Sequence, residues 1–353
     1  MAAGAEQSVL GYNTLIDIFN NYSSTDARAA FIWAARILDR MCPLIRIMPM
    51  VESNNMLSNV ATRTDYLPTP STRRFNEGVL PTVAKNVPLN DPIALFTDYS
   101  EVDKDQCDFQ NDPTAWRQDQ DANHVEGFRQ KLESMMWYGS LLQDGGAFNG
   151  LATRFNNLTS LPNGLADWPA NVWNGGASTG NVTSAWFIEF GKNKVYGIYP
   201  KQTAVGLNIR DLGETTKEIA TSVAGGPTMN KLLQVYRTLL EWWVGIQIND
   251  ERCVQRIANI NPTILSTNNF DENIFIEAKN WLPDAGENPG TAIFVNRALK
   301  TQIDIRAVSQ KINTYFTQDQ LTGDVWGRPV SRFQGIPIFV AEKLLATETV
   351  VTS

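Results

Sequence analysis

His124 is the single histidine of the 353-residue chain. One imidazole cannot build a multi-histidine metal site. A serine–histidine–carboxylate triad would have to form around this residue, which sits in a polar stretch of helical spacing. Cys42, Cys107 and Cys253 are odd in number and far apart, with no Cys-x-x-Cys pair. That pattern argues against a disulfide framework and structural zinc, and predicts small buried apolar side chains. Asn249, Asp250 and Glu251 are contiguous and lack the alternating ligand spacing of a calcium loop. Ser100-Glu101-Val102-Asp103-Lys104 sets two carboxylates beside a lysine, with no histidine or activating neighbour, and reads as a charged surface turn. Neither Gly-x-x-x-x-Gly-Lys-Ser/Thr nor Gly-x-Gly-x-x-Gly occurs. Gly145-Gly146, ahead of Phe148-Asn149-Gly150, form a turn-rich stretch with no lysine placed for phosphate. The sequence thus predicts no catalytic residue, no cofactor and no metal. A carboxylate-based hydrolase stays open, because paired acids meet in three dimensions whatever their spacing.

Apolar residues make up 43% of the chain and charged residues 19%, below the roughly 25% of an average soluble protein. A folded core and a polar but weakly charged surface follow. The net charge of -7 gives no basic stripe for gripping nucleic acid. Arg28, Arg36, Arg40 and Arg46 sit among apolar residues. Met1 to Gln7 lack the basic start and apolar run of a signal peptide, and no stretch reaches the roughly 18 apolar residues of a membrane span. Sequons at Asn21, Asn157 and Asn181 then read as chance, and a cytoplasmic origin is expected.

The elements follow from periodicity. Residues 9–22 and 27–41 have helical spacing, with Asp26 a cap for the second. Residues 51–98 hold Pro68, Pro70, Pro81, Pro88 and Pro92 and few large apolar residues. Val60 to Tyr66 alternates like a strand, Asn76-Glu77-Gly78 signals a turn, and Val79 to Val87 is the expected return strand. An isolated hairpin is marginal in water, so this arm is either completed by another surface or a loose loop. Asp112-Pro113 opens a helix to about Tyr138, with Val125, Phe128, Leu132, Met135 and Met136 on one face. Arg129 and Glu133 are placed to pair on its side, and Arg117 to His124 is polar enough to need solvent or a partner. Residues 144–182 read as loops, and Ser184 to Phe190 and Val195 to Tyr199 as paired strands around a Gly191–Lys194 turn. Residues 229–244 put Met229, Leu232, Leu233, Tyr236, Leu239, Leu240 and Trp243 on one amphipathic, core-facing side. Thr291 to Val295 reads as a strand, Asn296 to Ala307 as a helix, and Gly335 to Val340 as a strand that Pro337 places at an edge or bulge.

From about residue 55 onward several motifs come in a recognisable order. They are Thr64-Asp65-Tyr66-Leu67-Pro68 with Arg73-Arg74-Phe75-Asn76-Glu77-Gly78-Val79, then Glu101-Val102-Asp103-Lys104. Trp137-Tyr138-Gly139 and Phe148-Asn149-Gly150 to Asn156 follow, then Ser184-Ala185-Trp186, Phe190-Gly191 and Gly197 to Lys201. Further on come Trp242, Gly245, Asp250, Arg252 and Arg256-Ile257-Ala258-Asn259-Ile260, and last Phe333 to Ile338 with Thr347-Glu348. In this order the chain resembles the major capsid proteins of short-tailed bacteriophages of the epsilon15 type. Gln202 stands where that pattern has glycine, 214–228 match poorly, and the first 50 residues match only in helical character.

The resemblance implies an α+β fold of the HK97 coat type. It implies an N-terminal arm and helix at 1–50 and an extended loop at 51–98. A peripheral domain at 99–199 would carry the spine helix, about 112–138. Residues 200–325 would be mainly axial domain, and 326–353 a C-terminal strand segment. It implies a structural protein that assembles with itself into pentamers and hexamers of a phage head, formed in the bacterial cytoplasm. That head would enclose double-stranded DNA without sequence-specific binding, with portal, scaffold and decoration proteins as partners and no membrane. A shell-forming compartment protein of the same fold is the nearest alternative. Contacts between subunits are expected from Arg73, Arg74 and Asn76 on the loop and from Asp119, Asp121 and Glu126 on the polar half of the spine helix.

Overall fold

The computed structural model describes residues 43–66, 69–109, 112–162, 168–203, 205–221, 229–263, 269–309 and 332–352. The helices expected at 9–22 and 27–41, and Cys42, lie outside these. Chain order begins with α1 (Pro43–Ile47), β1 (Met50–Glu52), β2 (Ser58–Tyr66), β3 (Lys85–Pro92) and β4 (Ala94–Asp103). Then come α2 (Lys104–Asp108), α3 (Pro113–Tyr138), α4 (Leu151–Arg154), β5 (Val172–Asn174), β6 (Thr183–Glu189) and β7 (Val195–Tyr199). The long strands β8 (Asn208–Thr221) and β9 (Met229–Ile248) precede β10 (Val254–Ile260), α5 (Glu272–Asn280) and β11 (Thr291–Val295). The chain closes with α6 (Arg297–Ser309), β12 (Arg332–Phe333) and β13 (Ile336–Val340).

Three sheets result. β9 is the centre of a five-stranded sheet: β4 lies along one side, and β8 then β7 along the other, with β1 parallel to β7. A six-stranded sheet runs β12-β13-β11-β6-β10-β5. β2 and β3 form a separate two-stranded arm. Strands β8 and β9 at 208–248 share a sheet with β4 and β7, while β6 at 183–189 lies in the other, so both sheets draw on both sides of residue 200.

Several sequence expectations are corrected by this pairing. The return strand of the arm starts at Lys85, opposite Tyr66, and not at Val79; the chain between carries Pro81, which has no N–H for a ladder. Residues 144–182 include α4 and β5. The expected pairing of Ser184–Phe190 with Val195–Tyr199 shrinks to one isolated bridge, Phe190 with Val195. Every residue of β6 is buried, which suits a central strand between β10 and β11, while β7 joins β9. Residues 229–244 are strand, not helix. The inner part of β9 buries both faces, so Val235, Leu239, Leu240, Trp242 and Val244 imitate a helical stripe, while Leu232, 69% exposed, faces out. Ser100–Asp103 ends strand β4 and is no turn; the Asp103 carboxylate accepts from the Asp105 N–H and caps α2. β13 is not at the edge: it lies between β11 and the two-residue β12, with Pro337 opposite Arg332.

Helix α3 spans 26 residues, about 39 Å at 1.5 Å per residue. Its second half is embedded: Val125, Phe128, Leu132, Met135, Met136 and Trp137 are buried. Trp137 meets Trp186 of β6 and Phe294 of β11, with ring centroids 5.8 and 5.7 Å away, which fastens the helix end to the six-stranded sheet. The Arg129–Glu133 pair expected on the helix side is instead buried, at 3.0 Å. β8 has no strand partner beyond β9 among the described residues, and the strand carries Arg210, Asp211, Glu214, Lys217 and Glu218. A bulge at Asp211–Gly213, where Gly213 has φ +71°, interrupts it.

The chain leaves α3 through two interlocked glycines. The Gly150 N–H donates to the Gly139 carbonyl at 2.9 Å, and a Cβ at Gly150 would lie 2.7 Å from the Gly139 nitrogen. Since all the atoms it would strike are backbone, Gly150→Ala should lower stability by about 1–3 kcal/mol in urea unfolding. An unchanged unfolding midpoint would show that the turn relaxes freely.

Candidate assembly surfaces

The root of the arm is bolted to the body. Asn59 of β2 is buried and its Nδ2 donates to Tyr196 Oη (3.2 Å) and Gln247 Oε1 (3.3 Å). Asp91 of β3 pairs with Arg154 at 2.8 Å. Beyond the root, 69–84 is exposed throughout. Glu77 organises the tip: its N–H donates to the Arg74 carbonyl, while its side chain accepts from the Arg74 N–H at 3.0 Å and its carbonyl from Arg73 Nη1 at 3.3 Å. Asn76 takes the left-handed conformation this turn needs, φ +66°. Beside them stand Phe75, Leu80 and Val83, 102%, 87% and 81% exposed. Sequence reasoning singled out the charges of the tip and missed these apolar side chains; their only signal was their presence within a proline-rich stretch.

On α3, Asp119 is exposed and Asp121 half-buried. Glu126 is already engaged: Arg129 donates to it at 2.6 Å and Gln130 at 2.9 Å. The Arg129 hydrogen bond chiefly holds its carboxyl below the usual range. The polar half of the helix rests on the five-stranded sheet through His124 with Asp98 (2.7 Å) and Arg117 with Asp211 (2.8 Å). Among the described residues, no hydrogen bond or ion pair joins Arg73, Arg74 or Asn76 to Asp119, Asp121 or Glu126. One chain therefore does not bring the two sets of residues together.

A third feature was invisible in the sequence. Glu348, in the segment after β13, is buried with Arg256 of β10 at 2.9 Å. Its carboxylate also accepts from Tyr138 Oη and Ser184 Oγ, both at 2.5 Å. Arg256 donates further to Ser184 Oγ (3.0 Å) and to the Phe155 carbonyl (2.6 Å), and lies over Trp186. Burial, then the Glu348 charge, pushes the Tyr138 phenol far up, so it stays a donor. Tyr138, Ser184, Arg256 and Glu348 come from four separate motifs of the sequence, and no spacing along the chain announces that they meet.

Little here suits bond-making chemistry. The Cys107 and Cys253 thiols are buried, and burial pushes both up and away from the reactive thiolate. Among the described residues no group of three or more His, Cys, Asp or Glu could hold a metal, and no helix is long and apolar enough to cross a membrane. Asp250, from the acidic run considered for calcium, accepts from the Arg252 N–H and pairs with the Arg252 side chain at 2.7 Å.

The ion pairs that tie β4 to the β8–β9 pair are polar and half-open. Glu101 bridges Lys217 and Arg237, and Lys104 pairs with Glu214 at 2.9 Å. The Lys217 hydrogen bond holds the Glu101 carboxyl below its ordinary range, against an opposing effect of burial and with help from Arg237. The folded chain thus binds this proton less readily than the unfolded chain. The resulting stability is present above the ordinary carboxylate range and is lost as the pH falls through it. Glu101→Gln should flatten the acid limb of the stability–pH curve while leaving its shape above neutrality; an identical acid limb would exclude this bridge as a contributor.

The family model "Major capsid protein GP7" matches residues 26–352. Among solved structures, bacteriophage Epsilon15 matches with TM-score 0.57 and 21% identity, covering 86% of this chain and 88% of that one. The bacteriophage JBD30 capsid matches with TM-score 0.40 and 11% identity, covering 86% and 90%. A search of curated proteins gave no match. The α+β architecture is therefore the HK97-type coat fold. With all but the first 25 residues and the last one inside the family match, the chain belongs to the GP7 family of major capsid proteins, structural subunits that build a virus shell and not enzymes.

Proposed function

We propose that this chain builds the icosahedral head of a tailed phage from pentamers and hexamers around double-stranded DNA, inside a bacterial host, and that the β2–β3 arm of one subunit lies on α3 of the next. The observation that carries the arm's role is its tip, where Phe75, Leu80 and Val83 stand 102%, 87% and 81% exposed. Exposed apolar patches of this kind mark interaction surfaces. Arg73 and Arg74 beside them complement Asp119 and Asp121, exposed and half-buried on α3. Glu126 contributes less, because Arg129 already holds it.

Each such contact is weak alone, and an exposed ion pair contributes about 0–1 kcal/mol. A subunit held by several neighbours at once sums them through effective concentration, so misplaced copies leave and well-placed copies stay. The five- and six-membered rings then need only small changes at polar, screened contacts. The net charge of -7 suits a wall that repels DNA phosphates and does not grip them. Portal, scaffold and decoration proteins complete the proposed head.

The test is electron microscopy and sedimentation of wild type against Phe75→Asp with Leu80→Asp, and against Arg73→Glu with Arg74→Glu. Folded subunits without closed shells are expected from both pairs. Adding Asp119→Lys with Asp121→Lys should restore shells to the arginine pair alone. Normal shells from the first two would remove the arm from the interface, and failure of the restoring pair would move its docking place off α3.

A further inference from the structure

Residues 341–352 run on from the end of β13 along α3 and the six-stranded sheet as a strap. They touch α3 twice. Near the middle of the helix, Glu342 accepts from Arg129 Nη2 at 3.3 Å, the Lys343 N–H donates to Glu133 at 3.3 Å, and Lys343 Nζ donates to Gln130 at 2.9 Å. At the helix end the Leu345 N–H donates to Tyr138 Oη at 2.9 Å, and Tyr138 donates in turn to Glu348. The strap then passes to the six-stranded sheet. Thr183 Oγ1 donates to the Leu345 carbonyl, Ser184 and Arg256 hold Glu348, and Asn259 clamps Val351 from both sides at 2.8 and 2.9 Å.

Two properties distinguish this strap from the sheets it joins. Its backbone bonds to the body are sparse, a two-way bridge of Val182 with Glu348 and one bond near each end, Ala341 N–H to the Val295 carbonyl and Leu158 N–H to the Thr352 carbonyl, and its buried apolar side chains are few: Ala341, Leu344 and Val351. It also borders a cleft of about 400 Å³, whose other wall includes Ala152, Thr153 and Asn156 of and after α4. β6 and β10, by contrast, are buried at every residue and paired on both sides. Segments with few buried apolar contacts open at lower free energy than the core.

We infer that residues 341–352 are a releasable latch, which in its closed state staples the C-terminal half of α3 to the six-stranded sheet through Glu348 and which opens without unfolding either. The carboxylate hub sets the closed position, since a buried ion pair with all its hydrogen bonds made fixes one geometry more than it adds stability. Opening strips Arg256, Ser184 and Tyr138 of their shared acceptor, so the latch recloses in the same register. The latch is a property of the folded subunit and does not depend on where the arm docks.

Hydrogen exchange followed by mass spectrometry on the full chain, before assembly, tests this. In wild type the amides of Leu345, Glu348 and Val351 should exchange at least about tenfold faster than those of β6 and β10. Tyr138→Phe, which removes one donor and keeps Arg256 with Glu348, should speed the strap about tenfold more and leave β6 and β10 unchanged. Equal protection of strap and strands in wild type would overturn the latch. So would a Tyr138→Phe chain in which strap and strands exchange together, or one that no longer folds, since either makes the strap part of the global unit.

Discussion

A carboxylate with almost no water around it organises this subunit. Glu348 carries a charge into the interior, and such a charge is tolerable only if its lone pairs are filled. Filling them requires a phenol from the end of α3, a hydroxyl from β6 and a guanidinium from β10, all at hydrogen-bond distance at once. The long helix, the six-stranded sheet and the last segment of chain are thereby held to one mutual arrangement. Arg129 repeats the device half-way along the same helix: 2% exposed, it is shared among Glu126, Glu133 and Glu342. Burial pushes the Glu133 carboxyl up, which measures the desolvation that the surrounding donors must offset. Apolar packing around Trp137, Trp186 and Phe294 supplies the driving force, and the polar hubs select which packing is adopted.

The contrast between this interior and the periphery is what a coat subunit needs. Where the chain must hold its own shape, its ion pairs at Glu348 and Arg129 are buried and multiply hydrogen-bonded. At the arm tip and along the first half of α3, the surfaces proposed to meet other copies, the described contacts within the chain are exposed or half-buried, and mostly ionic. His124 with Asp98 and Arg117 with Asp211 keep the helix in place without committing its outer face. The arm tip leaves Phe75, Leu80 and Val83 exposed.

Much of the fold was legible in the residues. Asp112-Pro113 announced the long helix, whose apolar positions are the buried ones. The alternation at Val60–Tyr66 announced the arm, and Thr291–Val295 was read at its actual bounds. The failures share a cause. A strand buried on both faces loses its period of two, so β9 imitated a helix, and β6 offered no hint that its partners were β10 and β11 and not the adjacent β7. Pairings across long separations leave no local trace, which is also why the meeting of Tyr138, Ser184, Arg256 and Glu348 could not be seen, although each residue stood in a motif already noted. Candidate contact residues fared by type: charges on α3 and at the arm tip were visible, whereas the exposure of Phe75, Leu80 and Val83 depends on a loop that never becomes the expected strand.

The open flank of β8 bears on how growth stops. Among the described residues the outer edge of this fourteen-residue strand has no partner, and such an edge, if flat and apolar, would template another strand, then another, without end. Here charged side chains run along the strand, and the bulge at Asp211–Gly213 interrupts it. A protein made in bulk in order to polymerise runs a standing danger of polymerising along the wrong axis. Charge and the bulge make the β8 edge a poor template for a further strand, which favours a finite container over a filament.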